Sequence, residues 1–421
     1  MIHTFELFPG VTLRCYPDQR FKHGCLSLQL VRPMCREEAA LNALLPAVLL
    51  RGCGSCPDLR DITLRLDDLY GASVGTLVRR VGDYQTTGLY TSFIEDRYAM
   101  DGDAVLEPMV AFLKELLLDP VLEDGVFSAE FVEGEKKNLI STIESQLNDK
   151  RAYAMEQMIR RMCKEDTFGL SRLGEKEDVA AITPKALYDH YQNILRTSRI
   201  DVFYVGSAPA DQVAQLVKAM LGDIPRNYET LPAQTGFHTC PGGSYEETMD
   251  VNQGKLCMGF TSPVTTRDED FVVMQVLNMI FGGGMTSKLF MHIRETLSLC
   301  YAIGSGYHGT KGIFTVSAGI DSAKRELVQT EILNQLEACC RGDITEDELN
   351  AGKQALRAGL LSTPDAPASI ENYYASAALS GLTLTPEAYM AAVEQVTVQQ
   401  VAQAAKKLEL HTVYFLKGVT E

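Results

Sequence analysis

The sequence predicts an α+β fold of two duplicated lobes, each an antiparallel β-sheet packed with helices. Three observations predict this fold: the length of the chain, a weak internal repeat, and a mixture of strand and helix patterns in each half. The chain has 421 residues, which is too long for one ordinary hydrophobic core and suits two domains of about 200 residues each. Strands and helices that mix within each half are typical of α+β proteins with antiparallel sheets.

The chain repeats itself weakly at a spacing of about 210 residues. Thr183 and Thr397 occupy matching positions, and an aliphatic residue stands four and again eleven positions after each threonine. A hydrophobic strand pattern follows each of these helices, at residues 202–206 and at residues 413–416. The same helix and strand therefore close each half of the chain.

Each half also contains a pair of strand patterns that predicts a β-ribbon. The first pair covers residues 72–81 and 84–94, and the second covers residues 299–307 and 312–320. Their short connections and β-favouring residues are typical of antiparallel hairpins. The ribbons stand in the same order in both halves, which supports the duplication.

Helical patterns follow each ribbon. Apolar residues recur every three to four positions over residues 106–117 and over residues 327–336, which predicts amphipathic helices. A charged helix follows in each half, near residues 131–147 and near residues 346–361.

A stretch without periodicity separates the two halves. Residues 226–244 are rich in Pro, Gly and Thr, which is typical of a linker. The sequence therefore predicts an N-terminal domain at 1–225, a linker at 226–244 and a C-terminal domain at 245–421.

The net charge of −16 excludes the common classes of nucleic-acid-binding protein, because phosphate binding needs a basic face. A neutral or basic peptide, or a complementary protein surface, is easier to accommodate. We therefore expect no nucleic-acid partner.

The sequence also predicts a cytoplasmic protein without membrane segments. The near-apolar run at 39–50 contains Asn42 and Pro46, and it is too short to cross a bilayer. The first residues show no secretory pattern. Eleven cysteines at scattered spacings fit free thiols in a reducing compartment.

The most specific stretch, at residues 281–307, reads FGGGMTSKLFMHIRETLSLCYAIGSGY. It predicts a Gly-rich turn, then a helix that carries Arg294, then a strand that begins at Tyr301. A Gly-rich loop before a helix can bind phosphate, but this one lacks the spacing of a P-loop. The segments 287–290, 293–295 and 299–301, together with Gln253, resemble the second domain of the pitrilysin/insulinase family of inverzincin zinc peptidases. The resemblance covers nearly the whole chain, and it implies a LuxS/MPP-like metallohydrolase fold.

The resemblance implies that Arg294 and Tyr301 bind substrate, because the family uses this pair to hold the peptide backbone. A guanidinium and a phenol can each donate a hydrogen bond to a peptide carbonyl or to a developing oxyanion. In the structural alternative, Arg294 pairs with an acid such as Glu295 and Tyr301 packs in the sheet.

The first half lacks the catalytic motif that the resemblance implies. The family carries H-x-x-E-H on a helix, in which two histidines bind zinc and the glutamate activates water. When the family's basic residue and glycine are matched to 51–52, the two histidine positions are Ala43 and Ala47, and the glutamate position is Pro46. None of these three degenerate positions can bind zinc or carry a proton, so we expect no catalytic residue.

No other metal site is expected. Glu135 matches the third ligand position of the family, but a catalytic zinc needs three protein ligands, so Glu135 is better explained as a solvated or ion-paired residue. None of the seven histidines is three or four positions from another. Cys53 and Cys56 form a C-x-x-C whose role the sequence leaves open, with a turn of two small thiols as the simpler explanation.

With the motif lost and Arg294 and Tyr301 kept, the chain resembles a non-catalytic, YfmF-like member of the family. It would be the inactive subunit of a zinc metallopeptidase, completing the chamber and binding peptide for an active H-x-x-E-H partner. Zinc is then expected only in the partner subunit. Two alternatives remain: a peptide-binding scaffold that forms a self-dimer, and an atypical active peptidase.

Overall fold

A computed structural model describes residues 2–238 and 240–418. Thr239 in the predicted linker, and residues 1 and 419–421 in the predicted domains, lie outside the described residues. The strands are β1 His3–Phe8, β2 Val11–Pro17, β3 His23–Pro33, β4 Ser73–Val81, β5 Tyr84–Ile94, β6 Leu122–Glu123, β7 Val126–Phe127, β8 Arg199–Gly206, β9 Gly243–Met249, β10 Gly254–Thr261, β11 Cys300–His308, β12 Ile313–Ile320 and β13 Glu409–Gly418.

The amphipathic helices predicted from the sequence are present. The segment Leu289–Thr296 is π-helical. The α-helices are α1 Arg36–Leu49, α2 Leu59–Asp68, α3 Leu106–Leu118, α4 Ala129–Ser145, α5 Lys150–Met162, α6 Lys176–Ala181, α7 Pro184–Thr197, α8 Ala210–Leu221, α9 Phe271–Phe281, α10 Arg325–Arg341, α11 Glu346–Ser362, α12 Pro367–Ser380, α13 Pro386–Glu394 and α14 Val398–Ala405.

The chain forms two compact units, and both are discontinuous in sequence. The first unit comprises the described residues of Met1–Glu144, Leu170–Ala233 and Pro364–Leu379. The second comprises those of Ser145–Gly169, Gln234–Thr363 and Ser380–Glu421. The predicted bounds at 1–225, 226–244 and 245–421 follow the duplicated sequence and remain a prediction. Each unit also includes one segment from the other half of the sequence, Pro364–Leu379 in the first unit and Ser145–Gly169 in the second.

The first unit is built on a six-stranded sheet with the order β1-β2-β8-β3-β5-β4. Successive side chains of a strand point to opposite faces, and in β3 both faces are buried. Leu26, Leu28 and Leu30 belong to the main hydrophobic core, which also includes residues of α1, α3, α7 and α8. On the opposite face Cys25 packs against Ile370 of α12. The sheet therefore has helices on both faces.

The second unit is built on a five-stranded sheet with the order β11-β12-β10-β13-β9. This order repeats the order β4-β5-β3-β8-β2 of the first sheet, read from its β4 edge, as a duplication requires. The α+β prediction is confirmed, and each sheet adds one parallel pair, β2 with β8 and β9 with β13, to its antiparallel pairs.

Helix α5 packs on β10 at a glycine. A Cβ atom on Gly259 would lie 2.6 Å from the sulfur atoms of both Met158 and Met162, closer than atoms in contact can approach, so glycine allows the helix to reach the sheet. Within the ranges 2–238 and 240–418, no helix is long and apolar enough to cross a membrane.

Candidate functional site

The three degenerate motif positions lie on α1 in the first unit. Ala43 and Pro46 are buried and Ala47 is half-buried. Alanine and proline side chains carry no atom that binds a metal or transfers a proton. Helix α1 is therefore part of the hydrophobic core, but it lacks the metal-binding and proton-transferring side chains of the family motif.

Pro46 lies inside α1, and its missing N–H leaves the carbonyl of Asn42 without its helical donor. The hydroxyl of Thr87 on β5 donates to this carbonyl oxygen over 2.6 Å. The helix continues past the proline, since the amide of Leu50 donates to the Pro46 carbonyl over 3.2 Å. A strand side chain thus replaces the hydrogen bond that the proline removes.

A buried polar network holds the same part of α1. The Asn42 amide donates to Oε1 of Gln85 over 2.9 Å, and Nε2 of His190 lies 2.8 Å from Oδ1 of Asn42. Gln85 donates in turn to the carbonyl of Ala39 over 3.0 Å. Burial lowers the pKa of His190 to about 4, although the nearby Glu38 carboxylate opposes this shift. At neutral pH His190 is therefore an uncharged donor to Asn42.

Glu135 on α4 forms an ion pair with Arg51. One carboxylate oxygen lies 3.2 Å from Nη1 of Arg51, and the other accepts a hydrogen bond from Asn138 over 3.0 Å. The Arg51 guanidinium also lies over the ring of Phe131, 5.2 Å from its centre. The carboxylate at the third ligand position is thus engaged by a cation and an amide.

These residues do not fit a catalytic zinc. Such an ion needs three protein ligands and a water, and of the four family positions only Glu135 carries a metal-binding atom. In the part of the chain that the structure describes, no group of three His, Cys, Asp or Glu side chains could hold a metal.

Arg294 lies on the π-helical segment Leu289–Thr296 of the second unit. The amide of Leu297 donates to the carbonyl of His292, five residues earlier, over 2.9 Å, which is the π-helical spacing. The Arg294 guanidinium lies 4.6 Å from the centre of the Phe290 ring, and its Nε is 3.5 Å from Oε1 of Glu295. Its side chain is nevertheless 41% exposed, so it remains available to a ligand.

Tyr301 stands at the start of β11, where the register with β12 is irregular between Cys300 and Ala302. It is 69% exposed, so its ring does not pack in the sheet as the structural alternative supposed. Three apolar side chains of the stretch 281–307 are also exposed: Met285, Met291 and Leu297. The structure therefore leaves both predicted substrate-binding side chains accessible in the second unit.

Sequence reasoning missed the residues that support α1. Thr87, Gln85 and His190 belong to no catalytic motif, and they come from β5 and α7. One signal could have indicated Thr87, because a proline inside a helix leaves the carbonyl four residues earlier in need of a donor.

Comparisons with known proteins agree with these observations. A family model described as "Peptidase M16 inactive domain" matches residues 181–356. The Bacillus subtilis protein named "Probable inactive metalloprotease YmfF" is 31% identical over 416 residues, covering 97% of this chain and 96% of that protein. The chain belongs to the M16 peptidase family. An uncharacterized zinc protease of Rickettsia felis is 24% identical over 298 residues, covering 69% of this chain and 71% of that protein.

Solved structures show the same M16 fold. A conserved protein from Enterococcus faecalis has a TM-score of 0.92 at 28% identity, covering 100% of this chain and 99% of that one. A structure described as the peptidase M16 inactive domain from Pseudomonas fluorescens has a TM-score of 0.82 at 17% identity, covering 100% and 98%. With Ala43, Pro46 and Ala47 at the motif positions, this chain is an inactive M16 metalloprotease-like protein.

Proposed function

We propose that this chain is the catalytically inactive subunit of a two-chain M16 metallopeptidase in the cytoplasm. It completes the peptidase chamber and binds peptide substrate for a partner that carries an intact H-x-x-E-H motif and the zinc. The observation that carries the proposal is an asymmetry within the chain. The first unit has lost both histidines and the glutamate of the motif, whereas the second unit keeps Arg294 and Tyr301 with exposed side chains.

The chemistry of the two retained side chains suits a peptide. The Arg294 guanidinium and the Tyr301 phenol each donate hydrogen bonds, and a peptide carbonyl is an acceptor. Donors that also meet the oxyanion of the tetrahedral intermediate stabilise the transition state, and the loss of one such donor costs about a hundredfold or more in rate. The zinc-bound water and its base would come from the partner subunit.

The test is co-expression with an M16 chain from the same genome that has an intact H-x-x-E-H motif. We expect the two chains to elute together in size-exclusion chromatography, and peptide cleavage to require both. Arg294→Ala and Tyr301→Phe in this chain should each lower kcat/KM by about a hundredfold. Arg341→Ala and Tyr245→Phe, which change exposed residues of the same types in the second unit, should leave it unchanged.

Other outcomes would support the alternatives. Equal cleavage by the partner alone, or full activity of both variants, would contradict the proposal. Elution of this chain only with itself would favour the self-dimeric scaffold. Zinc-dependent cleavage by the purified chain that disappears in Glu135→Ala would indicate an atypical active peptidase.

A further inference from the structure

Two cations of the second unit, Arg151 and Lys255, lie near each other without carboxylate partners. Arg151 is in the first turn of α5, and its Nε donates to the hydroxyl of Ser317 over 3.2 Å. Lys255 is on β10, and its ammonium makes one long hydrogen bond, 3.4 Å, to Oε1 of Gln253. Neither forms an ion pair with an acid in the ranges 2–238 and 240–418.

The surroundings compensate these charges only in part. Burial lowers the pKa of Lys255, and the charge of Arg151 lowers it further, while Asp149 opposes the shift. Asp149 is engaged elsewhere, because its carboxylate accepts hydrogen bonds from the backbone amides of Arg151 and Ala152, both over 3.0 Å, and caps α5. The local repulsion between the two cations is therefore only partly relieved.

Both cations border one cavity, with a volume of about 790 Å³. This volume is within the range of small-ligand sites. The start of α5 and the turn before β10 form the rest of its wall, which adds Lys150, Asp149 and Asp250. Its wall thus carries three cations and two carboxylates, one of which caps a helix. The Nη atoms of Arg151 have no partner among the described residues, so they can accept a ligand.

One residue of the cavity wall, Lys255, lies in the same sheet as Tyr301, two strands away. Lys255 pairs with Gly319 on β12, and Gly319 pairs with Ala302 on β11, the residue after Tyr301. A Cβ atom on Gly319 would lie 3.6 Å from the Lys255 ammonium. Neighbouring strands are about 4.8 Å apart, so the backbones of Lys255 and Ala302 are about 10 Å apart. A peptide held by Tyr301 can reach the cavity with its next few residues.

We propose that the cavity bounded by Arg151 and Lys255 binds a carboxylate of the peptide substrate. The inference rests on the proposed function and adds a substrate class to it: peptides with a carboxylate a few residues from the segment held by Arg294 and Tyr301. The free Nη atoms of Arg151 can bind two carboxylate oxygens, and Lys255 adds a second positive charge. The carboxylate is either the C-terminus of the peptide or an Asp or Glu side chain.

The first experiment compares one peptide as a C-terminal acid and as a C-terminal amide. Fluorescence anisotropy with the full chain gives Kd, and the co-expressed two-chain enzyme gives KM. Hydrogen bonds between charged groups are stronger than those between neutral ones, so we expect the acid to bind about tenfold more tightly. Lys255→Gln and Arg151→Gln should abolish this difference, whereas Lys164→Gln, beyond the opposite end of α5, should retain it.

A second pair of amidated peptides, with Asp or Asn near the C-terminus, identifies the source of the carboxylate. If the C-terminal acid binds more tightly than the amide but Asp and Asn peptides bind equally, the cavity binds the C-terminal carboxylate. If the Asp peptide binds more tightly than the Asn peptide, the cavity binds a side-chain carboxylate. Equal affinities in both pairs, no peptide binding at all, or preferences that persist in Lys255→Gln and Arg151→Gln would overturn the inference. If cleavage still depends on Arg294 and Tyr301 in that case, only the carboxylate site fails and the proposed function stands.

Discussion

Thr87 should stabilise the protein only because Pro46 is in α1. The Thr87 hydroxyl donates to the Asn42 carbonyl over 2.6 Å, and both residues are almost fully buried. Thr87→Val leaves this carbonyl without a donor in a dry environment. A buried polar group without a partner costs about 1–3 kcal/mol, so we expect a loss of about 2 kcal/mol in the free energy of unfolding of the first unit.

The adjacent residue offers a matched control. Thr86 is equally buried, and its hydroxyl has no hydrogen-bond partner among the described residues. Thr86→Val removes a polar group that forms no bond, so it should leave stability unchanged or raise it slightly. Both variants should be measured by urea unfolding followed by circular dichroism. Hydrogen exchange of the α1 amides would assign the transition to the first unit.

A double-mutant cycle tests the cause directly. Pro46→Ala restores a backbone N–H four residues after Asn42, so the carbonyl regains its helical donor. Thr87→Val should then cost clearly less in the Pro46→Ala background than in the natural sequence. Equal costs of Thr87→Val in the two backgrounds, or equal effects of Thr86→Val and Thr87→Val, would refute the reasoning.

Three further predictions concern ionisable groups. Because the pKa of His190 is lowered to about 4, its contribution to stability is complete only above about pH 7.5, and it falls by about 2 kcal/mol between about pH 7.5 and pH 5. His190→Gln should flatten the pH dependence of urea unfolding by that amount, and an unchanged slope would contradict this prediction. Glu371→Ala should lower the free energy of unfolding by about 3 kcal/mol, because it leaves the bidentate partner Arg79 uncompensated; a urea midpoint equal to that of the natural chain would count against it. Metal analysis of the purified chain should give no stoichiometric zinc, and Glu135→Gln should not change the metal content; bound zinc that disappears in this variant would show that Glu135 is a ligand.

Local patterns predicted most of the fold. The second strand of the ribbon, expected at residues 84–94, is Tyr84–Ile94 in the structure, and the helix expected at residues 106–117 is Leu106–Leu118. Such elements are set by side-chain periodicity over a few turns or strand residues, which a single sequence displays. The helix expected around Arg294 exists, but its π-helical hydrogen bonds were not predicted, since the apolar spacing of a short segment does not distinguish them from α-helical ones.

Contacts between distant parts of the chain could not be predicted. The Glu371 carboxylate accepts hydrogen bonds from Ser27 over 2.7 Å and from Gln29 over 2.8 Å, and these residues are more than 340 positions apart in sequence. No local pattern connects them. At the candidate site, the motif comparison located Ala43 and Pro46, but the partners of α1 depend on how β5 and α7 pack against it.

The segment Pro364–Leu379 has a consequence for the order in which the protein is built. It covers the face of β3 that carries Cys25, Ser27 and Gln29, yet it leaves the ribosome long after that strand. A nascent chain that has emerged only as far as 226–244 therefore exposes this face, which needs both apolar cover and a carboxylate partner. Neither half expressed alone contains a complete compact unit, so the first unit can finish folding only after residues 364–379 have emerged.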